Sequence, residues 1–190
     1  MKKILVTTFA FAAVMGLAGA ASALDGAGSN PLGKAGQMAI SGELPFATGT
    51  ALTLDRSLFT LKKVFDGGHT YFSLRPNADV FVIDGLSVGG AIQIDYHSAD
   101  DKVGLGIAPR VGYAFNFGGS DFGIWPKIGL DWYKHGDWSG TYLNVFAPFT
   151  WTPVDHFYLG LGPSFDFRLS KGSYTAIGLS STLGGYFDLF

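Results

Sequence analysis

The chain has 190 residues, a formal net charge of −2, 47% hydrophobic and 15% aromatic residues, and no cysteine. That length suits one domain, and the missing cysteine excludes a disulfide-stapled scaffold. The near-neutral balance gives no basis for a nucleic-acid partner.

Residues 1–23 read as a cleaved signal peptide: Lys2 and Lys3 open it, residues 4–17 are apolar, and Ala21-Ser22-Ala23 is a small-residue cleavage site. Residues 24–35 lack periodicity and are expected to be a flexible periplasmic tail. The remainder, 36–190, alternates apolar and polar residues with period two, the signature of strands whose side chains point to opposite faces. Eight such segments follow: 37–46, 70–82, 86–96, 103–117, 122–133, 141–152, 157–170 and 175–189. In 157–170, for example, Phe157, Leu159, Leu161, Phe165, Phe167 and Leu169 share one face, while Ser164, Asp166, Arg168 and Ser170 share the other. Tight turns follow the second, fourth and sixth segments. Longer connections, at 47–69, 97–102, 134–140 and 171–174, follow the odd-numbered ones.

Every charge within the segments falls on the polar parity: Glu43, Arg75, Asp79, Asp95, Arg110, Lys127, Asp131, Asp166, Arg168 and Asp188. In a soluble sheet the apolar face turns inward. In lipid a closed barrel is the sheet that satisfies all its backbone groups, and its apolar face turns out. An Arg or Lys facing the bilayer midplane costs roughly 2–4 kcal/mol, so these ten residues are expected inside, as an ion-pair network. Aromatics gather near segment ends, with Phe46, Tyr96, Tyr113, Trp132, Trp151 and Phe187 expected at the lipid interfaces. Pro76, Pro109, Pro126, Pro148 and Pro163 lie within segments, where a missing N–H points to bulges or to strand ends near a rim. The fold expected is therefore all-β: an eight-stranded antiparallel up-and-down transmembrane β-barrel with short periplasmic turns, longer external loops and both termini in the periplasm.

The stretch 72–90 (FSLRPNADVFVIDGLSVGG) resembles a recurring unit of small outer-membrane barrels, in which a strand ends in an aromatic–Val pair, turns at Asp-Gly and returns as Leu-x-Val-Gly. LGIAPRVGY at 105–113 and LGLGPSF at 159–165 repeat its Gly-x-x-Pro flavour. The C-terminal GGYFDLF, containing Tyr186, Phe187, Leu189 and Phe190, is similar to the terminal signal read by the barrel-insertion machinery. Leu189 is in phase with the outward residues and Phe190 is one step out. Residues 37–190 as a whole resemble the outer-membrane β-barrel domain family, the small eight-stranded barrels of the OmpA/OmpX kind. That resemblance implies outer-membrane lipid and lipopolysaccharide as surroundings, periplasmic chaperones during biogenesis, a monomer, and no cofactor or metal.

Three functional readings stay open. An eight-stranded barrel is just wide enough to be filled by side chains or to hold one small ligand. The ionic residues therefore make a plug, with a structural or surface-interaction role for the protein, or they line a narrow channel or carrier of the OmpW-like kind. The third reading is enzymatic. His69, His97 and His135 fall near the external rim, and Asp95, His97 and Ser98 stand together on one strand end, the residue types of an acyl-transfer or hydrolase site. The resemblance to outer-membrane barrels, some of which modify lipid A at this rim, implies lipid A as the substrate of such a set. The same three histidines are also a candidate zinc set. In the long connection, Leu54, Leu58, Leu61 and Phe65 have helical spacing, which reads as an amphipathic helix over the barrel mouth or, equally, as an extended hairpin.

Overall fold

The computed structural model describes residues 32–45, 57–64, 69–99, 101–118, 120–170 and 175–189. The expected signal peptide, most of the expected tail, Phe46 and Phe190 lie outside the described residues. Among the described residues, thirteen strand segments form one closed antiparallel sheet. They are β1 (Gln37–Pro45), β2 (Phe59–Val64), β3 (His69–Leu74), β4 (Asn77–Phe81), β5 (Leu86–His97), β6 (Lys102–Tyr113), β7 (Phe115–Asn116), β8 (Phe122–Ile124), β9 (Lys127–His135), β10 (Trp138–Phe146), β11 (Phe149–Val154), β12 (Phe157–Arg168) and β13 (Thr175–Asp188).

These segments make eight staves and one added strand: β3 continues into β4, β6 into β7, β8 into β9 and β10 into β11, while β2 lies off the circuit and pairs with β3. The interruptions leave the register intact. Phe115 pairs with Ile124 in the same register that pairs Val111 with Ile128, and Phe149 pairs with Ile124 in the register that pairs Phe146 with Lys127. Pro76, Pro126 and Pro148 sit at the gaps between segments, while Pro109 and Pro163 lie inside β6 and β12, opposite Gly90 and Leu179. Three of the five thus stand at segment ends, one of the two expectations, while the other, that these five mark bulges, is corrected. Each loses its own N–H, yet the carbonyls of Pro76, Pro126, Pro148 and Pro163 accept from Ile92, Tyr113, Trp125 and Ala147, which holds the ladder in step. The register shift in the β11–β12 ladder falls between Trp151 and Val154, around Pro153, a strand proline outside those five.

β1 and β13 close the barrel, pairing from Gln37 with Asp188 to Pro45 with Ser180. Stepping from Met38 through paired residues Val80, Val88, Val111, Ile128, Val145 and Phe165 reaches Ile177 on β13. Met38's own partner on β13 is Phe187, so the circuit is staggered by ten residues. With a rise of about 3.3 Å per residue and eight spacings of about 4.8 Å, the strands tilt roughly 40° from the axis.

The rim where β1 begins and β13 ends is the proximal rim, and the opposite one the distal rim. At the distal rim β9 and β10 are joined by Gly136 and Asp137 alone, with Gly136 at φ +57°, so the longer connection expected over 134–140 is a tight turn. In the long connection, β2 pairs antiparallel with β3, and the Leu58 side chain lies over Gly42 of β1. Residues 59–64 are thus strand, as in the extended hairpin of the two alternatives and not the amphipathic helix, because ladder bonds to β3 satisfy their backbone. Leu54 and Phe65 lie outside the described residues.

The end of the expected tail is docked. Leu32 is 1% exposed inside the proximal mouth. The Gln37 side-chain carbonyl accepts from the N–H groups of Gly33 and Lys34. The Leu32 carbonyl accepts from Asn116, and Ala35 N–H donates to Asp84. Glycines permit this turn: Gly33 and Gly36 stand at φ +104° and +85°, where a side chain would be strained.

Candidate functional site: the filled interior

Alternation sets which side chains enter the barrel, and the closure sets which of them meet. At the proximal end Leu32, Ala39, Phe81, Ala114, Trp125, Tyr158 and Tyr186 form an apolar cork. The Trp125 ring lies 5.1 Å from Phe81 and 5.7 Å from Tyr158, and its N–H donates to Ser87 Oγ at 3.0 Å.

Above the cork sits an ionic layer centred on Arg110. Its Nε donates to Asp79 Oδ1 at 2.8 Å, and Nη2 pairs with the other Asp79 oxygen. Nη1 reaches Glu43 Oε1 at 2.8 Å and Asn77 Oδ1 at 3.1 Å. This forked geometry is what a guanidinium offers and an ammonium does not. Lys127 Nζ stands 3.8 Å from Asp79 Oδ2 and 3.7 Å from the centre of the Trp125 ring, which joins the layer to the cork.

A second layer follows. Arg75 donates to Asp131 at 2.9 Å and to Gln93 at 3.3 Å. The recess lined by Arg75, Gln93, Asp131 and Tyr133 leaves no space for a water-sized sphere. Small inward residues make room for these long arms: Ala91, Ala108, Gly106 and Gly112 are all buried. Toward the distal end, Asp95 Oδ1 lies 3.0 Å from His135 Nδ1, and Tyr133 Oη lies 3.3 Å from the same nitrogen. On β12, Asp166 accepts from Asn144 at 3.1 Å, while Arg168 donates to Ser170 at 3.0 Å and lies over the Trp138 ring.

The ten charged residues singled out from sequence are therefore placed as follows. Glu43, Asp79, Arg110 and Lys127 share one layer, Arg75 and Asp131 the next, and Asp95 sits with His135. Asp166 and Arg168 are half-buried on β12. Asp188 does not belong to the interior network: as the last residue of β13 it is exposed at the proximal rim, because the strand ends where the barrel wall does. Among the aromatics expected at the lipid interfaces, Tyr96 and Trp132 are exposed toward the distal end, and Trp151 and Phe187 toward the proximal end. Tyr113, half-buried, packs on Phe115 at 4.7 Å, and Phe122 stacks between Phe149 and Trp151. Of the residues expected to form a C-terminal insertion signal, Tyr186 is buried and Leu189 exposed.

The set Asp95, His97 and Ser98 is not assembled. Asp95 is held by His135, and Ser98 Oγ accepts from Thr70 N–H. No group of three His, Cys, Asp or Glu side chains among the described residues is placed to hold a metal, and the His69 side chain lies outside them. Asn77, Gln93, Trp125 and Tyr133 were missed as interior partners, although each stands on the polar parity. Leu32 was missed because nothing periodic surrounds it. Comparison with protein-family models finds no match, and comparison with curated protein sequences finds none either.

Proposed function

We propose that this chain is a small outer-membrane β-barrel protein with a non-enzymatic role in a Gram-negative envelope: a sealed structural barrel that offers its distal hairpins as an interaction surface. The observation that carries the reading is the inverted polarity of the wall. Large apolar side chains such as Ile40, Val88, Ile92, Ile107, Leu161 and Ile177 are exposed around the outside, while Asp79, Asp95 and Lys127 are buried within. A soluble protein rarely exposes so continuous an apolar surface. The outward run of β5 over residues 86–96, tilted roughly 40°, spans about 25 Å, the height of the apolar band of outer-membrane barrels. Aromatics toward both ends of that band supply the interfacial girdles.

In this reading the protein is exported, inserted by the barrel-insertion machinery with periplasmic chaperones, and surrounded by outer-membrane lipid and lipopolysaccharide as a monomer. The layered ion pairs favour a plug over the channel or carrier reading. The Asp95–His135 contact removes the acid from the lipid A hydrolase or acyltransferase set. The test is behaviour without detergent. The chain is expected to stay monodisperse only in detergent or bilayers, and to migrate differently on gels before and after boiling. A monodisperse species in plain buffer overturns the proposal. Planar bilayers are expected to show no discrete conductance steps, and regular steps would restore the channel reading.

A further inference from the structure

The interior carboxylates are not equally provided with cations. Glu43, Asp79 and Asp131 each have an arginine or lysine nitrogen within ion-pair distance. Asp95, with a side chain 0% exposed, has only His135, and its Oδ2 has no hydrogen-bond partner. A carboxylate taken out of water without full compensation is costly, so a positive charge is wanted at this point of the barrel.

The donors around it converge. β6 runs between β5 and β9, and Gly104 faces Asp95 on one side and His135 on the other. A Cβ on Gly104 would lie 2.4 and 2.5 Å from the two Asp95 oxygens and 2.6 Å from Tyr133 Oη. Three oxygens thus close over the one backbone position with no side chain. His135 Nδ1 adds a nitrogen 3.0 Å from Asp95 Oδ1 and 3.3 Å from Tyr133 Oη. Ser73 faces Asp95 across the β3–β5 ladder, and its buried hydroxyl is also without a partner. The His135 side chain is 18% exposed near the distal rim, which supplies a way in.

We propose that Asp95, His135 and Tyr133, with Ser73 beside them, bind a divalent first-row transition metal of the zinc class, tying β5 to β9 across Gly104. Neighbouring ligands at about 2.0–2.1 Å on a tetrahedron are about 3.3 Å apart, close to the donor separations here. The imidazole nitrogen selects zinc-like ions over calcium and magnesium, which take oxygen ligands. Metal entry displaces the proton shared between His135 and Asp95 and supplies the charge that the buried carboxylate lacks.

The test uses the folded chain in detergent, titrated with zinc chloride by calorimetry, with calcium and magnesium chloride alongside. One zinc per chain is expected, with no measurable calcium or magnesium binding. D95N and H135A are expected to weaken zinc binding about ten-fold or more, while H97A and H156A leave it unchanged. Circular dichroism and the gel shift verify that each variant is folded. NMR of the His135 ring in the wild-type protein decides the matter without any variant: its resonances move or broaden on zinc addition. An unperturbed His135 ring, or zinc affinity unchanged in a folded D95N, overturns the site and leaves a proton on His135 as the countercharge to Asp95.

Discussion

Arg110 and Glu43 stand 67 residues apart in the chain and meet at 2.8 Å inside the barrel, with Asp79 held by the same guanidinium. One cation thus joins β1, β4 and β6. Its removal leaves buried Glu43 without a cation and Asp79 with Lys127 alone, and an uncompensated buried charge costs about 3–5 kcal/mol. R110M is therefore expected to lower the urea midpoint of the folded barrel by that order. The quadruple variant E43Q/D79N/R110M/K127M recovers much of the loss, because no charge of this layer is then left unpaired. D188A, at an exposed site, is expected to stay within about 0.5 kcal/mol of wild type. Unfolding in detergent, followed by tryptophan fluorescence, measures all three.

Ile92 lies midway along the outward face of β5 and is 61% exposed. Facing water, I92R would cost next to nothing. Facing the middle of a bilayer it costs about 2–4 kcal/mol. Unfolding equilibria of I92R and wild type in lipid vesicles are expected to differ by the larger amount, and equal stabilities would argue that this face meets water.

Gly89 and Gly185 separate two kinds of glycine. A Cβ on Gly89 would lie 2.0 Å from the Ala78 carbonyl oxygen and 2.6 Å from Asp79 Cα, atoms of backbone that cannot swing aside. On Gly185 it would meet His156 O at 3.3 Å. G89A is expected to cost about 1–3 kcal/mol, as overpacking does, and G185A distinctly less. Thermal gel-shift midpoints rank the two.

The docked Leu32 is expected to stabilise the barrel rather than gate it. L32A removes a buried side chain from the cork and is expected to cost about 2–5 kcal/mol in urea unfolding. The Arg110 and Arg75 layers lie beyond the cork, so L32A is expected to show no conductance steps in planar bilayers. Steps appearing in L32A alone would make this residue the seal.

Much of the wall was legible from sequence because a strand's alternation is local. Phe157 and Tyr158 point to opposite faces through the geometry of adjacent residues, whatever lies around them. The eight staves and the inward parity of Asp79, Arg110 and Lys127 follow from that alone. Proline was misleading for the same reason. Its missing N–H is visible in the sequence, but the partner strand that keeps the register, as Tyr113 does for Pro126, is not. Leu32 is held by Asn116, and the turn after it by Gln37, once the chain has closed, and no short-range pattern announces it.

Alternation along the chain thus determined by itself which side chains face in and which face out. Only closure decided the partners: that Arg110 takes Asp79 and Glu43, that Arg75 takes Asp131, and that Asp95 is left with His135. Period two is a property of neighbouring peptides. The meeting of residues on different staves depends on the ten-residue stagger, which exists only once the first and last strands have paired.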